Sequence, residues 1–413
     1  MNLVNRENFF FLLLLLLPIS IIVGSSFSLI NIITLNLFFM ALLIAQKKFD
    51  FINHISIKLI FSFYLYLIFN SIISQNYEVG LSRNLGFIRL IILFIFINYF
   101  FFYYENEKKL LDFWSLILSA LVIDVYIEYF YGTNLFGWGS HDQIYGDRIT
   151  SFFRDEPIVG AYIAGFIFLI FGHLLKRFKK KTLAFAFLLF ALTAIIFTGE
   201  RSNTIKVFLG ILIYFMFLDF LKTKMKITVI ILFFTFFGLA LSQSEYLKVR
   251  YIGQLYDVFT DEKNFENFKE ENQYIRLYKS GYSVFKNYPI FGVGNKNYRV
   301  ETCKDKGDQS KFDYVCLTHP HQLYFELLSE HGLFGFILIL SIFFYLMFKI
   351  LKSILLSRNY VQIGAFTFVL INFTPILPSG SFFSDFNITL FWLNFSVMFA
   401  CNKKTNIFSK EYI

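Results

Sequence analysis

The chain is 413 residues long, 56% hydrophobic and 16% charged, with a mean hydropathy of +0.58. Soluble proteins carry about 25% charged residues, so this composition excludes an ordinary water-exposed globule. The net charge of +9 lies in short lysine clusters between apolar runs. That is the distribution of membrane topology rather than of a nucleic-acid-binding surface, and it leaves an anionic substrate open.

The first apolar run follows Arg6 and imitates a secretory leader. Further apolar runs follow at once, so it reads as an uncleaved first span. Candidate spans fall near 8–24, 26–45, 57–74, 86–103, 110–130, 157–175, 182–198, 203–221, 226–242, 332–351, 360–378 and 381–400. Each is long enough, or nearly so, for a hydrocarbon core of about 30 Å. The expected fold is therefore an all-α polytopic membrane protein of about twelve transmembrane helices, embedded in membrane lipids. One large loop, residues 243–331, separates spans nine and ten. The 60 Phe residues reflect a compositional bias, so a single Phe is not evidence for ligand stacking.

Alternate short loops hold twenty lysines and arginines, among them Lys176, Arg177, Lys179, Lys180 and Lys181. The opposite short loops hold Arg83, Arg148, Arg154 and Arg201 alone. Orientation follows this excess, which puts both termini in the cytoplasm and the large loop outside. Within that loop, "NFENFKEENQYIRLYKSGYSVFKNYP" reads as an amphipathic helix with Tyr274, Leu277, Tyr278 and Tyr282 on one stripe. Cys303 and Cys316 share the outer loop and form a candidate disulfide in an oxidising compartment, whereas Cys401 falls at the cytoplasmic end of the last span. No Cys/His spacing suits a zinc site, so no metal is expected.

The unusual charges collect on the outer side. "GWGSHDQIYGDRITSFFRDEPIVG", before span six, holds Arg148, Arg154, Asp155 and Glu156. "TGERSN", before span eight, holds Glu200 and Arg201. A charge next to the membrane is costly unless paired or functional. The structural alternative pairs Arg154 with Asp155 or Glu156, and Arg201 with Glu200. The main charges within spans are Asp124, Glu128, Lys206 and Arg89.

"THPHQ", residues 318–322, opens the tenth span and carries His319 and His321. Pro320 suits the first position of a helix, which places His321 in its first turn. There the positive end of the helix dipole favours a neutral imidazole able to accept a proton. Gly332 and Gly335 follow at a spacing that lets helices approach. His331 reads as scaffold, His54 and His173 as incidental, and His141 as isolated. Arginine forks bind phosphate oxygens. A lipid-linked diphosphate sugar is an anionic donor at this depth, and its good leaving group needs one general base to activate an acceptor hydroxyl.

At these residues the chain resembles the O-antigen ligase and polymerase superfamily of bacterial envelope glycosyltransferases. The ligase pattern is met by His321, Gln322, nine residues ending at His331, Gly332 and then Gly335. "TGERS", "YPIFGVGNKNY", "RITSFFRDEPIVG" and "PSGSFF" extend the resemblance over roughly residues 148–383. Ile205 stands where some members have Leu.

The resemblance implies N-terminal spans over 1–147, a ligase-like core over 148–383, and a last span with a cytoplasmic tail over 384–413. It implies an inverting, metal-independent transfer without cofactor from an undecaprenyl diphosphate-linked glycan, at the periplasmic face of the bacterial inner membrane. His321 would be the catalytic base, and Arg154 and Arg201, with Arg148, would bind the diphosphate. Arg276 would help position the substrate, supported by His319, Gln322, Glu156, Glu200, Gly332 and Gly335. The acceptor would be lipid A-core for a ligase or a growing glycan for a repeat-unit polymerase, with a protein O-glycosyltransferase as a third enzyme. A transporter or flippase of lipid-linked glycans is the reading from a different class.

Overall fold

The computed structural model describes residues 3–104, 106–139, 148–154, 156–253, 272–304 and 313–410, and every regular element among them is helical. In chain order the helices are α1 (Leu3–Val23), α2 (Ser25–Gln46), α3 (Ile55–Ile72), α4 (Tyr77–Gly86), α5 (Ile88–Tyr103) and α6 (Glu107–Tyr131). Then come α7 (Val159–Arg177), α8 (Lys181–Phe197), α9 (Arg201–Met216), α10 (Thr223–Gln243) and the single turn α11 (Glu245–Lys248). Last are α12 (Gln273–Asn287), α13 (Tyr298–Thr302), α14 (Leu323–Ser357), α15 (Tyr360–Ile371) and α16 (Asp385–Ala400).

All twelve apolar stretches contain helix, but the expected count of about twelve spans is not reached by length. Among the described residues seven helices are long and apolar enough to cross a membrane, α4 and α5 together forming one of them. Helices α9 and α16 run 16 residues each, about 24 Å at 1.5 Å per residue and short of a core of about 30 Å. Polar punctuation cuts them down. The turn at Thr198–Glu200 delays α9 to Arg201, and Ser384 caps α16 by accepting the Asn387 N–H. Helix α15 stops at Ile371, ahead of Pro375 and Pro378.

Helix α7 is the pillar of the bundle. Nearly every residue from Val159 to Leu175 is buried, as expected of a helix that is apolar all round. It packs against α6, α8, α9 and α15. Its closest crossing is with α15, where a Cβ on Gly172 would lie 2.2 Å from the Tyr360 carbonyl oxygen, and one on Gly364 equally close to that of Phe168. Small residues let these backbones touch.

The long outer segment folds back onto the bundle through a break in α14. Gly332 adopts φ 63°, ψ −171°, which splits that helix and leaves backbone groups unpaired. Residues 289–294 satisfy them: the Val293 and Gly294 N–H groups donate to the Ser329 and Glu330 carbonyls, at 3.0 and 2.9 Å. In return the Leu333 and Phe334 N–H groups donate to the Pro289 and Ile290 carbonyls. A Cβ on Gly332 would meet the Ile290 carbonyl oxygen at 2.3 Å, and one on Gly335 the Tyr66 hydroxyl at 1.9 Å. The two glycines thus serve the kink and the α3 contact.

Helix α12 packs along α14, burying Leu277, Ser280, Gly281 and Val284. Tyr282, placed on the same stripe by the sequence pattern, is exposed.

Two buried carboxylates of α6 hold the loop before α7. Asp124 accepts from the Leu135 N–H (2.9 Å) and the Ser151 hydroxyl (2.5 Å). Glu128 accepts from the Thr150 and Ser151 N–H groups at 3.1 and 2.6 Å. These acids fix the loop that carries Arg148 and Arg154. Packing runs across the expected segment boundaries, since α16 lies against α5.

Candidate active site

The helix ends and loops at the arginine-bearing end of the bundle enclose a cavity of about 1460 Å³. Its wall combines the starts of α7, α9, α12 and α16 with residues before α14 and the 376–384 loop. Arg148, Arg201 and Arg250 line it, as do His319, His321, Glu156, Glu200, Lys206, Tyr274 and Lys296.

The arginines form a cluster without a carboxylate partner among the described residues. One Arg201 Nη donates to the Arg250 carbonyl at 3.0 Å, and the Arg250 Nε donates to the Gly199 carbonyl at 2.6 Å. The Arg148 Nε is buried and makes no hydrogen bond to a described residue. Burial lowers the Arg250 pKa below its usual value, and the charges of Arg148 and Arg201 push the same way. An arginine nevertheless stays protonated, so the cluster is a concentrated positive field with unused donors.

The Glu200–Arg201 pair of the structural alternative does not form. Glu200 turns to the start of α7, where one oxygen accepts the Gly160 N–H at 2.6 Å and the other the Asn203 amide at 2.5 Å. A carboxylate at a helix N-terminus meets free N–H groups and the positive end of the dipole. Burial raises the Glu200 pKa to about 7, while the Gly160 and Asn203 bonds and the Arg148 charge hold it back. With Glu200 engaged elsewhere, Arg201 is free to face the cavity.

Arg154 and Arg276 are not brought to this wall. Arg154 is exposed, sits at φ 58°, and lays its guanidinium 4.9 Å from the centre of the Trp138 ring. Arg276 is exposed on α12. Asp155 and His141 lie outside the described residues. Arg250, which the sequence reading did not single out, lines the wall. It lies in a short π turn, Val249–Gly253, just after α10 and α11. Its signal is related to that of the other arginines, an outer-side cation close to an apolar run, but it follows its run where they precede theirs.

The histidine segment differs from its expected local form. Helix α14 starts at Leu323, and its cap is Gln322, whose side-chain oxygen accepts the Tyr324 and Phe325 N–H groups at 2.7 and 3.1 Å. His321 therefore stands outside the first turn, with a left-handed φ of 53°. Pro320 is not the first helical residue; it is buried against α12, where a Cβ on Gly281 would lie 2.9 Å from its own Cβ.

The His321 carbonyl accepts the Ser379 N–H at 2.8 Å, which leaves its ring turned toward His319, with centroids 4.0 Å apart. No described residue bonds the His321 ring nitrogens. Burial pushes His321 down to about 4, with His319 adding to the shift and Glu326 opposing it. His319, whose Nδ1 contacts the Thr318 hydroxyl at 2.9 Å, is lowered to about 4 by burial and then by Lys296. Both rings are neutral at pH 7, through burial more than through the helix dipole.

A buried brace stands behind these rings. The Glu326 side chain, fully buried in the first turn of α14, accepts the Ser381 hydroxyl at 2.5 Å and the Phe382 N–H at 2.9 Å. Lys296 bonds the same hydroxyl and sits 3.9 Å from the Glu326 carboxylate. The brace fixes the 379–382 segment that in turn holds the His321 carbonyl. Lys296 and Glu326 were absent from the sequence-based site, because their link depends on the fold-back at Gly332.

Cys303 and Cys316 are disulfide-bonded, with Cα atoms 4.6 Å apart. The other described histidines do not line the cavity. His54 caps α3 by accepting the Ser56 N–H, His173 pairs with Asp112 at 2.7 Å, and His331 is buried at the α14 kink.

Residues 186–340 match the family model described as O-antigen ligase. The matched stretch runs from α8 into α14 and includes Arg201, Arg250, His321 and Gly335, which supports the superfamily read from the motifs. At the level of the family this supports a membrane glycosyltransferase of the ligase or polymerase type, acting on lipid-linked glycans. No curated protein matches the chain.

Proposed function

We propose that the chain transfers a glycan from an undecaprenyl diphosphate-linked donor to an acceptor hydroxyl, in the ligase direction onto lipid A-core, at the periplasmic face of the inner membrane. The observation that carries this reading is one cavity lined by a neutral histidine, His321, and by arginines 148, 201 and 250, with no partner to the His321 ring and no carboxylate partner to the arginines among the described residues.

The acceptor oxygen attacks the anomeric carbon as the bond from that carbon to the diphosphate oxygen breaks. His321 takes the acceptor proton. Arg148, Arg201 and Arg250 receive the charge that develops on the departing diphosphate. A single displacement from the face opposite the leaving group inverts the anomeric centre. The donor also tunes the base: its negative charge beside His321 favours the imidazolium that forms during transfer. No step in this scheme uses a metal or a cofactor.

The His321–Gln322 pattern favours a ligase over a polymerase. Asp124 and Glu128, the acids within a span that would suit a carrier, are taken up by loop amides, which favours an enzyme over a flippase. The test replaces His321 by Ala in cells and separates envelope glycans on a gel. A ligase variant loses polymer attached to core while lipid-linked polymer accumulates. Cores bearing single repeat units would identify a polymerase instead. Normal glycans at normal protein levels would defeat the assignment of His321.

A further inference from the structure

Below the arginines the cavity changes character. Lys206 lies five residues into α9 from Arg201, Ala164 five into α7 from Val159, and Leu390 five into α16 from Asp385. All three line the cavity. At 1.5 Å per residue each stands about 7.5 Å along its helix from the start that borders the cavity. Phe368 and Ile371, in the last turn of α15, line the same cavity. Four of the five side chains are apolar. The fifth is a lysine, 9% exposed, with no hydrogen-bond or ion-pair partner among the described residues.

Such a cation is rare at bilayer depth and marks an ion or substrate path by default. The rim arginines account for an anionic headgroup at the mouth, but not for Lys206, deeper along α9 and without a partner among the described residues. A ligand that satisfies both levels carries anionic charge above and hydrocarbon below.

We propose that Lys206 binds the phosphate that bears the lipid chain of a prenyl phosphate donor, so that the arginine rim and this lysine hold the two phosphates at different depths. The proposal rests on the donor reading above and adds a residue and a depth to it. A hydrocarbon chain sets how far the headgroup sinks, so a prenyl monophosphate places its single phosphate at Lys206. Free pyrophosphate has no chain and stays with the arginines.

The test measures binding of farnesyl diphosphate, farnesyl monophosphate and inorganic pyrophosphate to the purified full chain in lipid nanodiscs. Lys206→Met should weaken both farnesyl ligands about tenfold, the scale of one charge-assisted bond, and leave pyrophosphate within about twofold. Lys206→Arg should retain both, and Arg201→Gln should weaken the diphosphate more than the monophosphate. Lys206→Gln replaces the Met variant if the latter fails to insert.

Unchanged farnesyl binding in the Met or Gln variant, with wild-type binding intact, overturns the role of Lys206 and leaves the donor reading standing. Equal weakening of all three ligands overturns the assignment to the chain-bearing phosphate. Failure of the wild type to bind farnesyl diphosphate overturns the donor reading and this inference with it.

Discussion

Arg250→Gln and Arg154→Gln separate what the folded site uses from what arginine position alone suggests. Arg250 lines the cavity beside Arg148 and Arg201, and its Nε donates to the Gly199 carbonyl at 2.6 Å. A hydrogen bond from a charged donor contributes about 1.5–3 kcal/mol. Loss of one phosphate contact should therefore lower kcat/KM for donor about tenfold to hundredfold. Stability should move little. The variant loses the Gly199 bond, about 1 kcal/mol, but it also relieves the repulsion that Arg148 and Arg201 exert on a partly buried cation. Arg154 is exposed over Trp138, so Arg154→Gln should keep kcat/KM within about twofold and lose at most about 1 kcal/mol of stability. The assay is transfer from a purified lipid-linked glycan by protein in nanodiscs, with a thermal melt of each variant. The reasoning is refuted if Arg154→Gln loses tenfold or more while Arg250→Gln stays near wild type.

The pH profile tests His321. A free-enzyme value of about 4 means the base is lost only as pH falls through about 4, so His321 should add no limb to kcat/KM between pH 6 and 8, and a change near 7 that Glu200→Gln abolishes belongs to Glu200. Bound donor raises that value, so the acid limb of kcat should lie at higher pH than that of kcat/KM; a kcat/KM limb near the ordinary 6.5 would contradict the burial argument. Glu326→Gln weakens the brace at Ser381, Phe382 and Lys296, and about 1.5–3 kcal/mol should appear as a ten- to hundredfold fall in kcat with donor KM little changed. A matching rise in KM would show that the brace serves donor binding instead. Replacing Cys303 and Cys316 by Ser opens a loop with a sequence separation of 13, at a cost of about 2–4 kcal/mol in the outer segment. Faster hydrogen exchange across residues 313–322, which include His319 and His321 three and five positions after Cys316, should report it; unchanged exchange would mean that neighbouring packing holds the segment alone.

The sequence could be read where chemistry and chain position coincide. Apolar runs marked the helices, and the lysine and arginine asymmetry of the loops put "TGERSN" and "THPHQ", with Arg201 and His321, on one side. Helix length was less legible: whether α9 extends back through Thr198–Glu200 depends on Glu200 leaving its own helix to bond Gly160, forty residues away. The same bond decides whether Arg201 is paired or free, and no local pattern contains it. Arg154 and Arg250 show the limit most sharply. Both follow the rule that an arginine at the outer face is costly and therefore significant. A left-handed turn and a tryptophan sixteen residues earlier direct one toward solvent, while a π turn directs the other into the cavity. The rule finds residues whose charge must be explained, but backbone geometry chooses the explanation. His321 illustrates the point from the other side. Its neutrality was expected from a helix dipole, yet the ring stands before the cap, and burial beside His319 keeps it neutral. That difference has a chemical consequence: a dipole acts whether or not substrate is bound, whereas an anionic donor entering the same cavity opposes the burial penalty. The base would then strengthen when the bond it serves is in place.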